Sequence, residues 1–285
     1  MREAIKSLYR PVLKFATRSY VAGDTLDDAL QICASAASRG YAVSVCYWHE
    51  PSEGPESVAE EYLSAIDRLA EAKLDAHLAV KFPALHERQD LLESVVARAL
   101  SRGVRADFDA HEPQKADDVL RAAGALERRA LGMAMPGRWK RSLADADRAV
   151  ELGLRVRVVK GEFKGDDEPY ADLREGYLKV IDRLAGRARM VGVATHDAWL
   201  SGEAIKRLQA AGTPCEQELL FGMPLEPAAA EGRKAKIRTR IYVPYGSAWL
   251  PYSVSRVVKN PRVLAWLARD FLAGRAREIP APPKE

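Results

Sequence analysis

Short apolar runs rich in β-branched residues recur along the chain, and each is followed by a stretch whose apolar residues return at helical spacing. The runs cover residues 41–47, 76–81, 104–108, 130–135, 154–160, 188–194, 215–220 and 239–243. Between them, Leu91, Val95, Val96, Ala99 and Leu100 share one helix face, as do Leu173, Tyr177, Val180, Ile181 and Leu184. Gly40, Gly103, Gly153 and Gly212 stand where a helix must end before the next strand, the position that favours a left-handed residue. The units begin at intervals of about 24 to 35 residues, the size of one strand–helix module. Eight modules in series predict a closed (β/α)8 TIM-type barrel rather than an open sheet.

The pattern also predicts what flanks the barrel. Residues 1–40 read as a helical extension, with helices over 3–20 and 26–38 packed outside the barrel or across its bottom. The barrel with its final helices spans 41–275. After the eighth strand, helices over 249–259 and 262–272 are broken at Pro261, and a C-terminal helix covers the barrel mouth. Residues 276–285, with Pro280, Pro282 and Pro283, form an extended tail.

Composition fits this picture. With 285 residues, 47% apolar and 29% charged, the chain can bury the core of one large domain. No run approaches the length of a membrane span, and the first residues lack the uninterrupted apolar region of a signal peptide. The expected location is cytoplasmic, with at most peripheral contact at the inner membrane. Cys33, Cys46 and Cys215 are scattered and odd in number, which favours reduced thiols over a disulfide framework. Net charge is +4, from 44 basic and 40 acidic residues, so no nucleic-acid partner is expected. The one basic excess, residues 233–240, reads as a solvated helix end leading into a strand.

Barrel chemistry gathers at the C-terminal ends of the strands. Those ends carry Trp48 and His49, Lys81, Asp107 and Asp109, Arg157 and Lys160, Thr195, His196 and Asp197, Glu216 and Glu218, then Tyr242 and Tyr245. By the two-residue strand period, His77, Ala79 and Lys81 share a face, as do Arg105, Asp107 and Asp109, and Arg155, Arg157 and Val159. Charges on strands covered from both sides need partners. Lys81 with Asp107 and Arg157 with Glu218 are candidate ion pairs, but so many polar groups at the catalytic end favour a ligand site. Two other chemistries stay open. His49, Asp109, His111, His196 and Glu216 are candidate ligands of a divalent metal, although no H-x-H opens the first strand and their spacing is irregular. Lys81 or Lys160 could form a Schiff base if desolvated. No G-x-G-x-x-G, phosphate-binding loop, G-x-S-x-G or H-E-x-x-H occurs.

Longer motifs point to a family. Residues Val156-Arg157-Val158-Val159-Lys160-Gly161 resemble the fifth-strand signature "VRLVKG" of proline dehydrogenases. Ala194-Thr195-His196-Asp197 resembles their "ATHN/ATHD", and the stretch from Glu216 to Met223 resembles their "E-x-Q-x-L-x-G-M". Residues 240–246, followed by Tyr252 and Arg256, resemble their eighth-strand and final-helix signature, while Lys81 and Asp107 fall where strands two and three of the family carry a lysine and an aspartate. The motifs follow one another in register from roughly residue 40 to residue 275. The resemblance implies FAD as cofactor and oxidation of the C–N bond of proline, or of a proline-like or modified amine, by hydride transfer to the flavin. It implies Arg157 near flavin N5, with Lys160, Gly161, Thr195, His196 and Glu218 in the cofactor-binding motifs. Lys81, Asp107 and Tyr242 would act at the reacting centre, and Tyr252, Ser255, Arg256 and Lys259 would line the substrate. Its partners would be a small amine or amino acid and a quinone or other electron acceptor.

The sequence departs from the family at five places. Ser255 and Lys259 replace an arginine and a glutamate of the final helix, and they share one helix face as i and i+4. Strand four runs through Met135-Pro136-Gly137-Arg138 without the family's glutamine, Lys164 (beside Phe163) stands for an aromatic, and Glu218 stands for the glutamine of "E-x-Q". These changes keep an alternative in play: a barrel without flavin, acting as a metal-dependent or Schiff-base lyase or as a binding protein.

Overall fold

In the computed structural model, described over residues 21–109, 112–127, 130–161, 163–165, 168–247 and Ile279, parallel strands close on themselves in chain order. They are β1 (Ala42–Tyr47), β2 (Ala76–Val80), β3 (Arg105–Phe108), β4 (Leu131–Pro136), β5 (Arg155–Val159), β6 (Val191–Ala194), β7 (Cys215–Leu220) and β8 (Thr239–Tyr245). Pairing of Ala42 with Arg240 through Tyr47 with Tyr245 joins β1 to β8 and seals the barrel. That pairing carries β8 two residues past the expected end. Strands β4 and β6 begin slightly later than the apolar runs that signal them.

The helices are α1 (Leu26–Ala37), α2 (Pro55–Glu71), α3 (Gln89–Arg102), α4 (Ala116–Gly124), α5 (Ser142–Glu151), α6 (Leu173–Leu184), α7 (Ala198–Ala210) and α8 (Glu226–Lys234). Gly40, Gly103, Gly153 and Gly212 take φ of 80, 71, 67 and 67°, as helix-terminating positions require. Strand alternation sorts the side chains. Outward positions such as Val43, Val45, Leu78, Val156, Val158, Val193 and Ile241 join Val58, Ile66, Leu92, Val95 and Ile181 of the helices in one continuous apolar core. The core therefore lies between wall and helices, and the lumen is left to charged groups.

Helix α1 begins at Thr25, whose side chain caps it in a reciprocal pair with Asp28. It packs beside β8 and β1, outside the wall rather than across the bottom. Its lead-in reaches the mouth: Ala22 N–H donates to Pro244 O at 2.9 Å and Gly246 N–H to Gly23 O at 3.0 Å. The helix end of the basic run is spent as expected on surface pairs, Arg233 with Glu226, Lys234 with Glu231 and Arg238 with Asp75, whereas Arg240, inside β8, is buried. Ile279 is buried, and its carbonyl accepts from the Arg39 guanidinium. The helices expected over 3–20, 249–259 and 262–272, including the one over the mouth, lie outside the described residues. Among the described residues no helix is long and apolar enough to cross a membrane.

Candidate active site

The lumen side chains form two stacked layers below a rim. In the lower layer Arg155 donates to Asp107 at 2.6 Å, to Glu216 at 2.7 Å and to Glu218 at 2.9 Å. Arg240 donates to Glu216 at 2.8 Å and to the carbonyl of Val43 at 2.7 Å, and His77 meets Asp107 at 3.1 Å. Glycines make these crossings possible. A Cβ on Gly132 would lie 2.2 Å from Asp107 Oδ1, and one on Gly192 would lie 2.6 Å from Arg155 Nη2. Burial opposes ionisation of Asp107, yet the Arg155 charge and the His77 hydrogen bond hold its carboxyl well below the usual range. Burial likewise opposes ionisation of Glu216, and Arg240 and Arg155 bring it down to about 2. Burial lowers the pKa of His77 despite Asp107, so the ring stays neutral.

The upper layer centres on Arg157. Its guanidinium donates to Glu218 at 2.9 Å, pairs with Asp109 and lies 5.1 Å from the centre of the Tyr242 ring. Tyr242 donates its hydroxyl to Asp109 at 2.5 Å, and the Cys46 thiol lies 3.4 Å from the same oxygen. Burial and then the Asp109 charge push the Tyr242 pKa far up, so the phenol keeps its proton. Burial raises Cys46 to about 11. The Arg157–Glu218 pair is present as expected. The Lys81–Asp107 pair is not: Asp107 belongs to the lower layer, while Lys81 donates to Tyr47 O at 3.2 Å and stands 5.6 Å from the Trp48 ring centre.

At the rim Lys160, 35% exposed in its side chain, pairs with Asp197 at 3.1 Å. Asp197 also binds Arg174 at 2.7 Å and caps α7 by accepting from Leu200 N–H. Thr195 is buried and its hydroxyl accepts from Asp197 N–H at 3.2 Å. His196 accepts from Leu220 N–H at its Nε2, at 2.9 Å, and its Nδ1 lies 3.1 Å from Pro224 O. That network assigns the ring proton to Nδ1 and leaves neither nitrogen for a phosphate. Gly161, at φ +93°, has no room for a side chain, since a Cβ would lie 2.8 Å from Pro136. Where the family's glutamine and aromatic are missing, Arg138 donates to Gly161 O at 3.1 Å and pairs with Glu168 at 2.8 Å. Trp139 Nε1 donates to Phe163 O at 2.8 Å. These bonds sew the loop after β5 onto the end of β4.

The barrel thus brings Lys81, Arg157, Glu218, Tyr242, Lys160, Gly161 and Thr195 to one end, with Asp107 beneath them. Tyr252, Ser255, Arg256 and Lys259 lie outside the described residues, as does His111 of the metal set. The rest of that set is dispersed, with Glu216 in the lower layer and His196 bound to backbone, and no three metal-ligating side chains gather among the described residues. Sequence reasoning gave too little weight to Asp109, the hub of the upper layer, and to Arg155. The signal was available, because each lies two residues from a chosen site residue on the same strand face.

No family model matches the chain. It is similar to proline dehydrogenase 1 of Bacillus subtilis, 25% identical over 283 residues that cover 91% of each chain. It is also similar to a proline dehydrogenase of Deinococcus radiodurans, 22% identical over 96% of this chain and 95% of that one. Among solved structures, proline utilization A from Bdellovibrio bacteriovorus, inactivated by N-propargylglycine, superposes with a TM-score of 0.77 at 17% identity over 95% of this chain. Proline utilization A from Corynebacterium freiburgense gives 0.69 at 18% over 99%. The chain spans about a third of those longer proteins, 36% and 35%, and the likeness to them is one of fold. The chain is a divergent relative of the proline dehydrogenases.

Proposed function

We propose that this relative of the proline dehydrogenases is an FAD-dependent oxidoreductase acting on the C–N bond of proline or a proline-like amine. The observation that carries the reading is Arg157. Its guanidinium is buried at the mouth, held from behind by Asp109 and Glu218, and its Nε has no partner among the described residues. A buried donor left open is costly, and unlike the equally open Nε of Arg155 beneath it, this one stands at the mouth, where a ligand acceptor can meet it. In register the Arg157 backbone is flanked by the small residues Ala134 and Gly192. Those features fit an electron-rich ring edge.

Bound FAD would supply the hydride acceptor. Arg157 would stabilise the negative charge that develops there, and Lys160 with Thr195 offers a cation and a hydroxyl at the rim for the phosphates. Tyr242, kept protonated, and Lys81 would border the substrate. Asp107 would act from below, by holding Arg155. Arg256 and Lys259 would hold the substrate carboxylate, with Ser255 widening the space beside it. The electrons would then pass to a quinone or other acceptor. The competing reading is a barrel without flavin, and the observation on its side is His196, both of whose ring nitrogens are already engaged.

The deciding experiment is spectroscopic. Purified protein should show a flavin absorption band, and heat should release FAD into the supernatant. A colourless protein with no fluorescence quenching on titration with FAD overturns the proposal. Arg157→Met should slow anaerobic flavin reduction by about two orders of magnitude, the usual loss for one charge-stabilising donor. Unchanged reduction kinetics would remove Arg157 from its role.

A further inference from the structure

Glu218 is buried in the lumen against Arg157. It is 3% exposed, and its oxygens are divided between two guanidinium groups, Oε1 accepting from Arg157 and Oε2 from Arg155, each at 2.9 Å. Arg157 already has a second carboxylate in Asp109. Anchoring alone does not call for this charge, since Arg155 has Asp107 and Glu216 besides, and Arg157 has Asp109. A neutral amide at residue 218 would fill nearly the same volume. What the carboxylate adds is negative charge in a water-poor interior, where its effect extends over several ångströms.

We infer that Glu218 is a charge-tuning residue that lowers the reduction potential of a flavin bound at Arg157, and that Arg155 is the counter-charge that lets it do so. The inference rests on the flavin reading above. Reduction places negative charge on the flavin. A guanidinium beside it favours that state, and a carboxylate paired to the guanidinium cancels part of the favour. Left alone at this depth, a carboxylate would take up a proton and its influence would vanish. Arg155 prevents this, and with Arg157 it holds the Glu218 carboxyl below its ordinary pKa although burial pushes the other way.

The test is an anaerobic reductive titration of the FAD-loaded protein against a reference dye. Glu218→Gln should raise the reduced-to-oxidised ratio at a fixed ambient potential tenfold or more, which is about 30 mV for a two-electron couple. Glu218→Asp, which keeps the charge, should stay near the parent protein. Glu218→Met, which removes the charge and keeps the bulk, is a second variant should Glu218→Gln misfold, and it should shift the same way. A merely structural role would lower the melting temperatures and leave the potentials in place. Unchanged or lowered potentials in FAD-loaded variants overturn the tuning and spare the flavin reading. Loss of FAD from Glu218→Gln alone would make Glu218 an anchor instead. A parent protein that binds no FAD overturns both readings.

Discussion

The lower lumen and the barrel mouth are built from the same residue types and behave as different materials. Below, Arg155 and Arg240 are about 1% exposed, and Asp107, Glu216 and His77 are tied to them across the barrel from strand to strand. At the rim, Lys160 is 35% exposed and its partner Asp197 is shared with Arg174. A ligand must break a buried network to bind below, whereas at the rim it competes only with solvent-screened pairs of small worth. Charge in a lumen is therefore not by itself a sign of catalysis. The informative group is Arg157: its Nε is open like that of Arg155 below, but it stands at the mouth, where a ligand can reach it.

A dispensable lower layer would erase this difference. Arg240 stitches β8 to β1 through Val43 O and to Glu216, so Arg240→Met leaves a buried carboxylate short of a partner. It should cost about 3 to 5 kcal/mol of unfolding free energy, read from a urea midpoint at unchanged slope. A cost below about 1 kcal/mol would mean the network is no stronger than a surface pair.

Acid gives a second, somewhat smaller effect. The Glu216 carboxyl is lowered from 4.5 to about 2, so its contribution is fully present above pH 4.5 and is lost as the pH falls toward 2. The linked loss is about 3 kcal/mol. Unfolding free energies at descending pH should show it, and Glu216→Gln should flatten that part of the profile. An equally steep profile in the variant would assign the acid sensitivity elsewhere.

Tyr242→Phe is the smallest change and sharpens the contrast most. Losing the hydrogen bond to Asp109 should cost about 1 kcal/mol of stability, since the ring still packs against Arg157. Anaerobic flavin reduction should fall by a larger factor than stability predicts. A stability loss as large as that of Arg240→Met would place Tyr242 with the structural layer.

What the sequence determined by itself was every strand of the closed barrel, the glycines that end the helices, and which charges share a strand face. These follow from local rules, the periods of 2 and 3.6 and the left-handed preference of glycine. The Arg157–Glu218 pair was legible because opposite charges on strands covered from both sides need partners. The tertiary structure alone decided depth, and with it the partners of each charge. Asp107 stands level with Gly132 and Arg155, so it meets Arg155 and His77, while Lys81, farther up β2, turns to Trp48 at the rim. Periodicity specifies the face of a strand but not its height against a neighbour. Height is set by the stagger of a closed barrel, and the stagger depends on all the strands at once.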